Sequence, residues 1–145
     1  MPRADFYVLP APEPEARSRF LVKLLEKILG LGRQLYIRVP NEAEMRQLDK
    51  LLWEYRADAF LPHSPLAEGL HSPIEIGYGD ARPAHRDVFL NLCLELPDVA
   101  LEFDRITEIV IQQPEVLDAC RANYRRCQQA DFEIHMNDMR PKTGS

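Results

Sequence analysis

The chain has 145 residues, of which 46% are hydrophobic and 28% charged, the mixture of an ordinary folded domain rather than of a disordered or fibrous chain. That length supports one hydrophobic core and leaves too little for two. Eighteen Lys and Arg against 23 Asp and Glu give a net charge of −5, the wrong sign for a module that grips duplex DNA by neutralising phosphates.

Asp5-Phe6-Tyr7-Val8-Leu9 is a short apolar, aromatic run stopped by Pro10, Pro12 and Pro14, and reads as a buried first strand. From Glu13 to Leu29 the apolar positions Phe20, Leu21, Leu24, Leu25 and Ile28 recur with the 3.6-residue period of an amphipathic helix, ended by Gly30 and Gly32. Gln34 to Val39 is strand-like. A second helix then opens at Pro40-Asn41-Glu42 with Asn41 as N-cap, runs to about Trp53, and turns Met45, Leu48 and Leu52 inward. Ala59 to His63 is a short extended piece that Pro62 keeps out of a sheet centre, and Ser64 to Ser72 is a loop. Ile74-Glu75-Ile76, Val88 to Leu96 and Ile106 to Ile111 read as strands, the second nearly continuous in apolar residues, as expected where both sheet faces are covered. Pro97-Asp98 starts a short helical turn, Pro114 to Ala130 is a final helix, and Phe132 to His135 a last strand.

Strands alternating with helices at this spacing predict an α/β fold of three layers, a mostly parallel central sheet with helices on both faces. Residues 1–140 form one domain in this reading and 141–145 a loose tail.

Motifs for chemistry are sparse. The turn after the first strand, Pro10-Ala11-Pro12-Glu13-Pro14, has no glycine and offers no backbone cradle for phosphates, and Gly77-Tyr78-Gly79 lacks a third glycine and a helix start. His63, His71, His85 and His135 have no metal-ligand spacing, and neither Ser64 nor Ser72 sits in a nucleophile elbow. Asp49 and Glu54 read as a solvated helix face rather than an acid–base pair. Cys93, Cys120 and Cys127 form neither a disulfide framework nor a C-x-x-C pair, and Cys120 and Cys127 recur one heptad apart as inward-facing small hydrophobes. No apolar run approaches the length of a membrane span, and the opening residues carry no signal-peptide core. The expectation is a reduced, cytoplasmic protein without catalytic site, metal or cofactor.

Two surfaces stand out. On the final helix, Leu117, Arg121, Tyr124, Arg125 and Gln128 fall on one stripe at about 100° per residue, next to an inward stripe of Val116, Cys120, Asn123 and Cys127. Arginine forks beside a rigid aromatic suit a peptide with carboxylates and an apolar anchor, while a solvated face whose arginines complement the helix dipole accounts for the same spacing. The second surface is Leu52-Trp53 with Phe60-Leu61-Pro62, bulky apolar groups at element ends that either close the core or form an exposed anchor patch.

The ordered set Phe6-Tyr7-Val8-Leu9, Leu48-Asp49-Lys50-Leu51-Leu52-Trp53, Phe60-Leu61-Pro62-His63 with Glu68-Gly69, and Tyr124-Arg125 before Asp131-Phe132 resembles the chi subunits of bacterial DNA polymerase III, accessory proteins of the clamp loader, over nearly the whole chain. The resemblance implies a Rossmann-like fold without a nucleotide-binding loop, and a noncatalytic bridge in DNA replication. One side would grip the psi subunit, and through it the clamp loader, by Trp53, Phe60, Leu61 and Pro62; an accessory helicase is a further partner of that side. The other side would hold the acidic, Phe-ending C-terminal tail of the single-stranded-DNA-binding protein by Arg121, Tyr124, Arg125, Leu117 and Arg140. Leu117 stands where family members offer a lysine and Met139 where they offer an aromatic, so the implied rim is less basic, with Arg126 as an added cation. Two other readings carry different expectations. A small α/β enzyme acting on a nucleotide or ester needs a polar pocket at the carboxyl ends of the strands, and a direct single-strand binder needs a basic groove with stacking aromatics.

Overall fold

The apolar run that opens the chain is strand β1 (Arg3–Val8), and it takes a place one strand in from the edge of a seven-stranded sheet. The computed structural model describes residues 2–55 and 61–141. After β1 come α1 (Pro14–Gly30), β2 (Leu35–Arg38), α2 (Glu42–Glu54), β3 (His63–Pro65), β4 (Ile74–Gly77), β5 (Val88–Asn91), β6 (Arg105–Val110), α3 (Pro114–Gln129) and β7 (Glu133–Asp138). The strand order is β3-β4-β2-β5-β6-β1-β7, and every neighbouring pair is parallel. The α/β expectation is met, with a wholly parallel sheet.

The period-two alternation of the strands sorts side chains onto two faces. Leu35, Ile37, Ile74, Ile76, Val88, Leu90 and Ile109 meet α1 and α2, whose buried faces carry Leu21, Leu25, Ile28, Met45, Leu48 and Leu52. Ala4, Phe6, Tyr36, Phe89 and Ile106 meet Cys127 of α3 and Leu96, Ala100 and Phe103 of the segment around a 3-10 turn at Asp98–Glu102. Pro14 stands in the first turn of α1, where its missing N–H costs nothing. Asn41 caps α2, its side chain accepting from Glu44 N at 2.9 Å.

Two expectations need correction. The apolar run from Val88 stops being a strand at Asn91; Leu92 N still donates to Arg38 O of β2, and then the Asn91 Oδ1 accepts from Cys93 N at 3.1 Å and the Asn123 Oδ1 from Leu96 N at 3.1 Å, which pulls residues 93–96 off the ladder. The Ser64 to Ser72 loop contains the end of β3 and a 3-10 turn at Leu66–Glu68. Of the expected extended piece, Ala59 and Phe60 lie outside the described residues, while β3 starts at His63 and is an edge strand, as the proline predicts.

Candidate protein-interaction surfaces

The final helix starts at the carboxyl end of β6 and returns antiparallel to the strands, touching β6 and β7. Its inward stripe is as spaced: Asn123 and Cys127 are buried, and Cys120 packs against the same core. Asn123 is fully used there. Its amide donates to Leu94 O at 2.8 Å and to Glu108 Oε1 at 3.0 Å while its oxygen accepts from Leu96 N. That network locks the rotation of α3 about its axis, and so decides what the outer stripe presents.

On that outer stripe Tyr124 is half-buried, its ring centroid 5.9 Å from that of Phe6 beneath it. Leu117 is half-buried and outside both core clusters. The three arginines differ. Arg121 is exposed and paired with Asp118 one turn back at 2.7 Å, both side chains largely in water, so the pair holds it by well under about 1 kcal/mol. Arg126 is held by Asp98 across the 3-10 segment. Arg125 is exposed and makes no hydrogen bond or ion pair with any described residue.

Spacing along α3 does not reveal the floor of this stripe. Met136 is the in-register partner of Phe6 on β1 and is half exposed, so the β7 edge adds an apolar side chain on the face that α3 covers. Arg140 follows just beyond β7, at the sheet end where α3 begins, and is clamped by Asp138 through hydrogen bonds of 2.9 and 2.6 Å. The guanidinium in turn holds the Asp138 carboxyl down at about 2.

The second surface is divided. Trp53 is 59% exposed at the end of α2, its ring centroid 4.6 Å from that of His63. His63 is buried, with one ring nitrogen on the Leu61 carbonyl and the other facing the Asp49 carbonyl at 3.2 Å and carboxylate at 3.3 Å. Asp49 is therefore a partner of the imidazole and not only part of a solvated face. Pro62 is half-exposed. Leu61, expected among the anchors, is 3% exposed and packs into the α1/α2 core, so the patch closes the core at that position. Phe60 lies outside the described residues.

Burial pushes the Cys120 thiol up to about 11 and Cys127 to about 12, and raises that of Cys93 beyond β5, away from the thiolate that attacks. The described residues contain no group of three or more His, Cys, Asp or Glu placed to hold a metal ion, and no helix among them is long and apolar enough to cross a membrane.

Comparison with known proteins decides the family. The family model described as "DNA polymerase III chi subunit, HolC" matches residues 1–135. The chain belongs to the DNA polymerase III chi subunit family. It is 38% identical over 134 residues to the DNA polymerase III subunit chi of Pseudomonas aeruginosa, covering 92% of this chain and 94% of that one. The subunit chi of Haemophilus influenzae is 27% identical over 126 residues (85% and 88%), and that of Escherichia coli 26% over 107 (72% and 73%). Membership in the chi family makes DNA replication the process to which both surfaces are to be related.

Proposed function

We propose that this chain is a noncatalytic adaptor of the replication machinery, with its α3 face receiving the acidic C-terminal tail of the single-stranded-DNA-binding protein and its Trp53 face receiving the psi subunit of the clamp loader. The observation that carries the first half is the stripe of Arg125, Tyr124 and Arg121, an uncommitted guanidinium beside a half-buried ring and a weakly held second guanidinium. A chain end rich in Asp would be steered to these cations, with its terminal carboxylate on an arginine and its Phe ring against Tyr124, Leu117 and Met136. Burying one Phe is worth roughly 2–3 kcal/mol. After the entropy of ordering a flexible tail, the expected affinity is micromolar (about −8 kcal/mol), weakening with salt. Arg140 at the far end of the groove is the outermost cation of the site.

For the second half, Trp53 supplies a large exposed ring next to half-exposed Pro62, the kind of residue that dominates interface energies. Psi is the proposed occupant, an accessory helicase the other partner of that side, and the cytoplasm the proposed compartment. The net charge of −5 favours this division of labour, since an acidic adaptor follows coated single strands without adhering to their phosphates.

The test is fluorescence anisotropy of a labelled Asp-rich peptide ending in Phe, alongside the same peptide without the Phe and a bare oligonucleotide. Salt-sensitive binding that needs the terminal Phe is expected. Equal binding of both peptides, or tighter binding of the oligonucleotide, removes the reading.

A further inference from the structure

Arg17 of α1 belongs to neither surface. It is half-buried, burial lowers its pKa, and it makes no hydrogen bond or ion pair with any described residue. The charged groups that act on it are the Glu44 carboxylate of α2, not within ion-pair distance, and the Cys93 thiol. A half-buried guanidinium has given up part of its hydration without gaining a protein acceptor, which leaves its N–H groups open to a ligand from the cleft.

Arg17 lines two cavities that share it and Leu92. The larger, of about 140 Å³, is walled by Ser18, Val39, Pro40, Glu44 and Gln47. That is close to the size of an engineered cavity that admits benzene, about 150 Å³. The smaller, of about 30 Å³, reaches inward to Asn91 and Glu108. There Asn91 Nδ2 and Glu108 Oε2, on residues 3% and 6% exposed, are buried without a hydrogen-bond partner. The larger cavity stands outside the carboxyl ends of the strands, between α1 and α2, where open α/β sheets take ligands, and the smaller one lies between α1 and α3 beside the ends of β5 and β6. The first turns of both helices contribute to the wall, Arg17 from α1 and Glu44 from α2.

The geometry points to a binding site for a small, singly charged oxyanion, a carboxylate or a phosphate ester, held by the Arg17 guanidinium with Ser18 and Gln47 as neutral hydrogen-bond partners. Glu44 at the same wall opposes added negative charge, about twice as strongly for a dianion as for a monoanion, so the monoanion is the better fit beside one guanidinium. The volume accepts the anionic group and leaves the remainder of a larger ligand in solvent. The larger cavity, with Arg17, Ser18 and Gln47, shares no lining residue with α3 and lies across the sheet from Tyr124.

The experiment titrates the intact protein with inorganic phosphate at mildly acidic pH and, separately, with acetate, each against chloride at matched ionic strength. It follows the Arg17 Nε–Hε resonance by ¹⁵N NMR and the melting temperature. A saturable shift of that resonance with at least one anion is expected, together with a dose-dependent rise in melting temperature that Arg17→Met abolishes. The tighter anion identifies the source as a phosphate ester or a carboxylate. An Arg17 resonance unmoved by either anion overturns the proposal, as does stabilisation that persists in Arg17→Met. Should Arg17→Met not fold, Gln47→Leu serves instead, with a several-fold weaker shift of the Arg17 resonance expected and an unchanged titration counting against the site.

Discussion

Tyr124 on α3 rests on Phe6 of β1, ring centroids 5.9 Å apart and planes tilted by 49°. Phe6 is fully buried, so the tyrosine has a fixed base and keeps its outer edge at the surface. A rigid ring between cations costs little entropy to use in binding. Tyr124→Ala is therefore expected to destabilise the fold by about 1–3 kcal/mol and to abolish tail-peptide binding. Tyr124→Phe, whose hydroxyl has no partner to lose among the described residues, keeps both within about 0.5 kcal/mol. Paired urea melts and peptide titrations check this, and wild-type affinity in Tyr124→Ala would remove the ring from the site.

The arginines should not be equivalent. Arg125→Ala is expected to weaken tail binding by about 1.5–3 kcal/mol, the scale of a charge-assisted hydrogen bond. Asp118→Asn, which releases Arg121 from its 2.7 Å partner, should strengthen binding by less than about 1 kcal/mol. Anisotropy at low and moderate salt measures both. An Asp118→Asn protein that binds more weakly would mean that the pair positions Arg121 rather than competing for it.

Glu108 makes stability depend on pH. Burial raises its pKa from the usual carboxylate range to about 8, against the opposing pull of the Asn123 amide. The folded protein keeps the proton up to about that pH, whereas the unfolded chain releases it near 4.5. Over that interval the unfolded state binds fewer protons, so stability falls as pH rises from about 4.5 to 8, at up to about 1.4 kcal/mol per unit. Below that range both states are protonated and above it both are ionised, so this contribution levels off. Glu108→Gln, isosteric and neutral, is expected to flatten the decline. Urea midpoints measured across pH for both proteins give the difference, and parallel curves would contradict a buried neutral acid.

Gly77 is a packing requirement rather than a turn. A Cβ there would lie 2.5 Å from Tyr36 Oη and 2.9 Å from its Cε1. Tyr36 is fully buried, with its hydroxyl donating to Ala81 O at 3.3 Å, and the ring has nowhere to swing. Gly77→Ala should cost about 1–3 kcal/mol, and adding Tyr36→Phe should recover part of it. Chemical denaturation of the single and double variants tests the coupling.

Much of the candidate site was legible in α3 because helical spacing is local arithmetic. Asn123 and Cys127 had to face inward if Tyr124 and Arg125 faced out. The partners were not legible. Asp98, which occupies Arg126, is 28 positions away, and Met136 reaches the floor only because β7 pairs with β1 in the register that sets it beside Phe6. Leu61 misled for a related reason. Its neighbours end an element, and whether such a residue closes the core or anchors a partner depends on what the sheet edge places behind it.

By itself the sequence determined the alternation of strands and helices, the faces each helix would bury, the asparagine cap of α2 and the membership in the chi family, because period, capping chemistry and family motifs are written along the chain. Only the tertiary structure decided the strand order, the release of residues 93–96 from the sheet, the sorting of three arginines into paired and unpaired, and the meeting of Arg17 with Asn91 and Glu108 around one cleft. These depend on which distant segments share a surface, and that is set by long-range packing and by hydrogen bonds that no local pattern encodes.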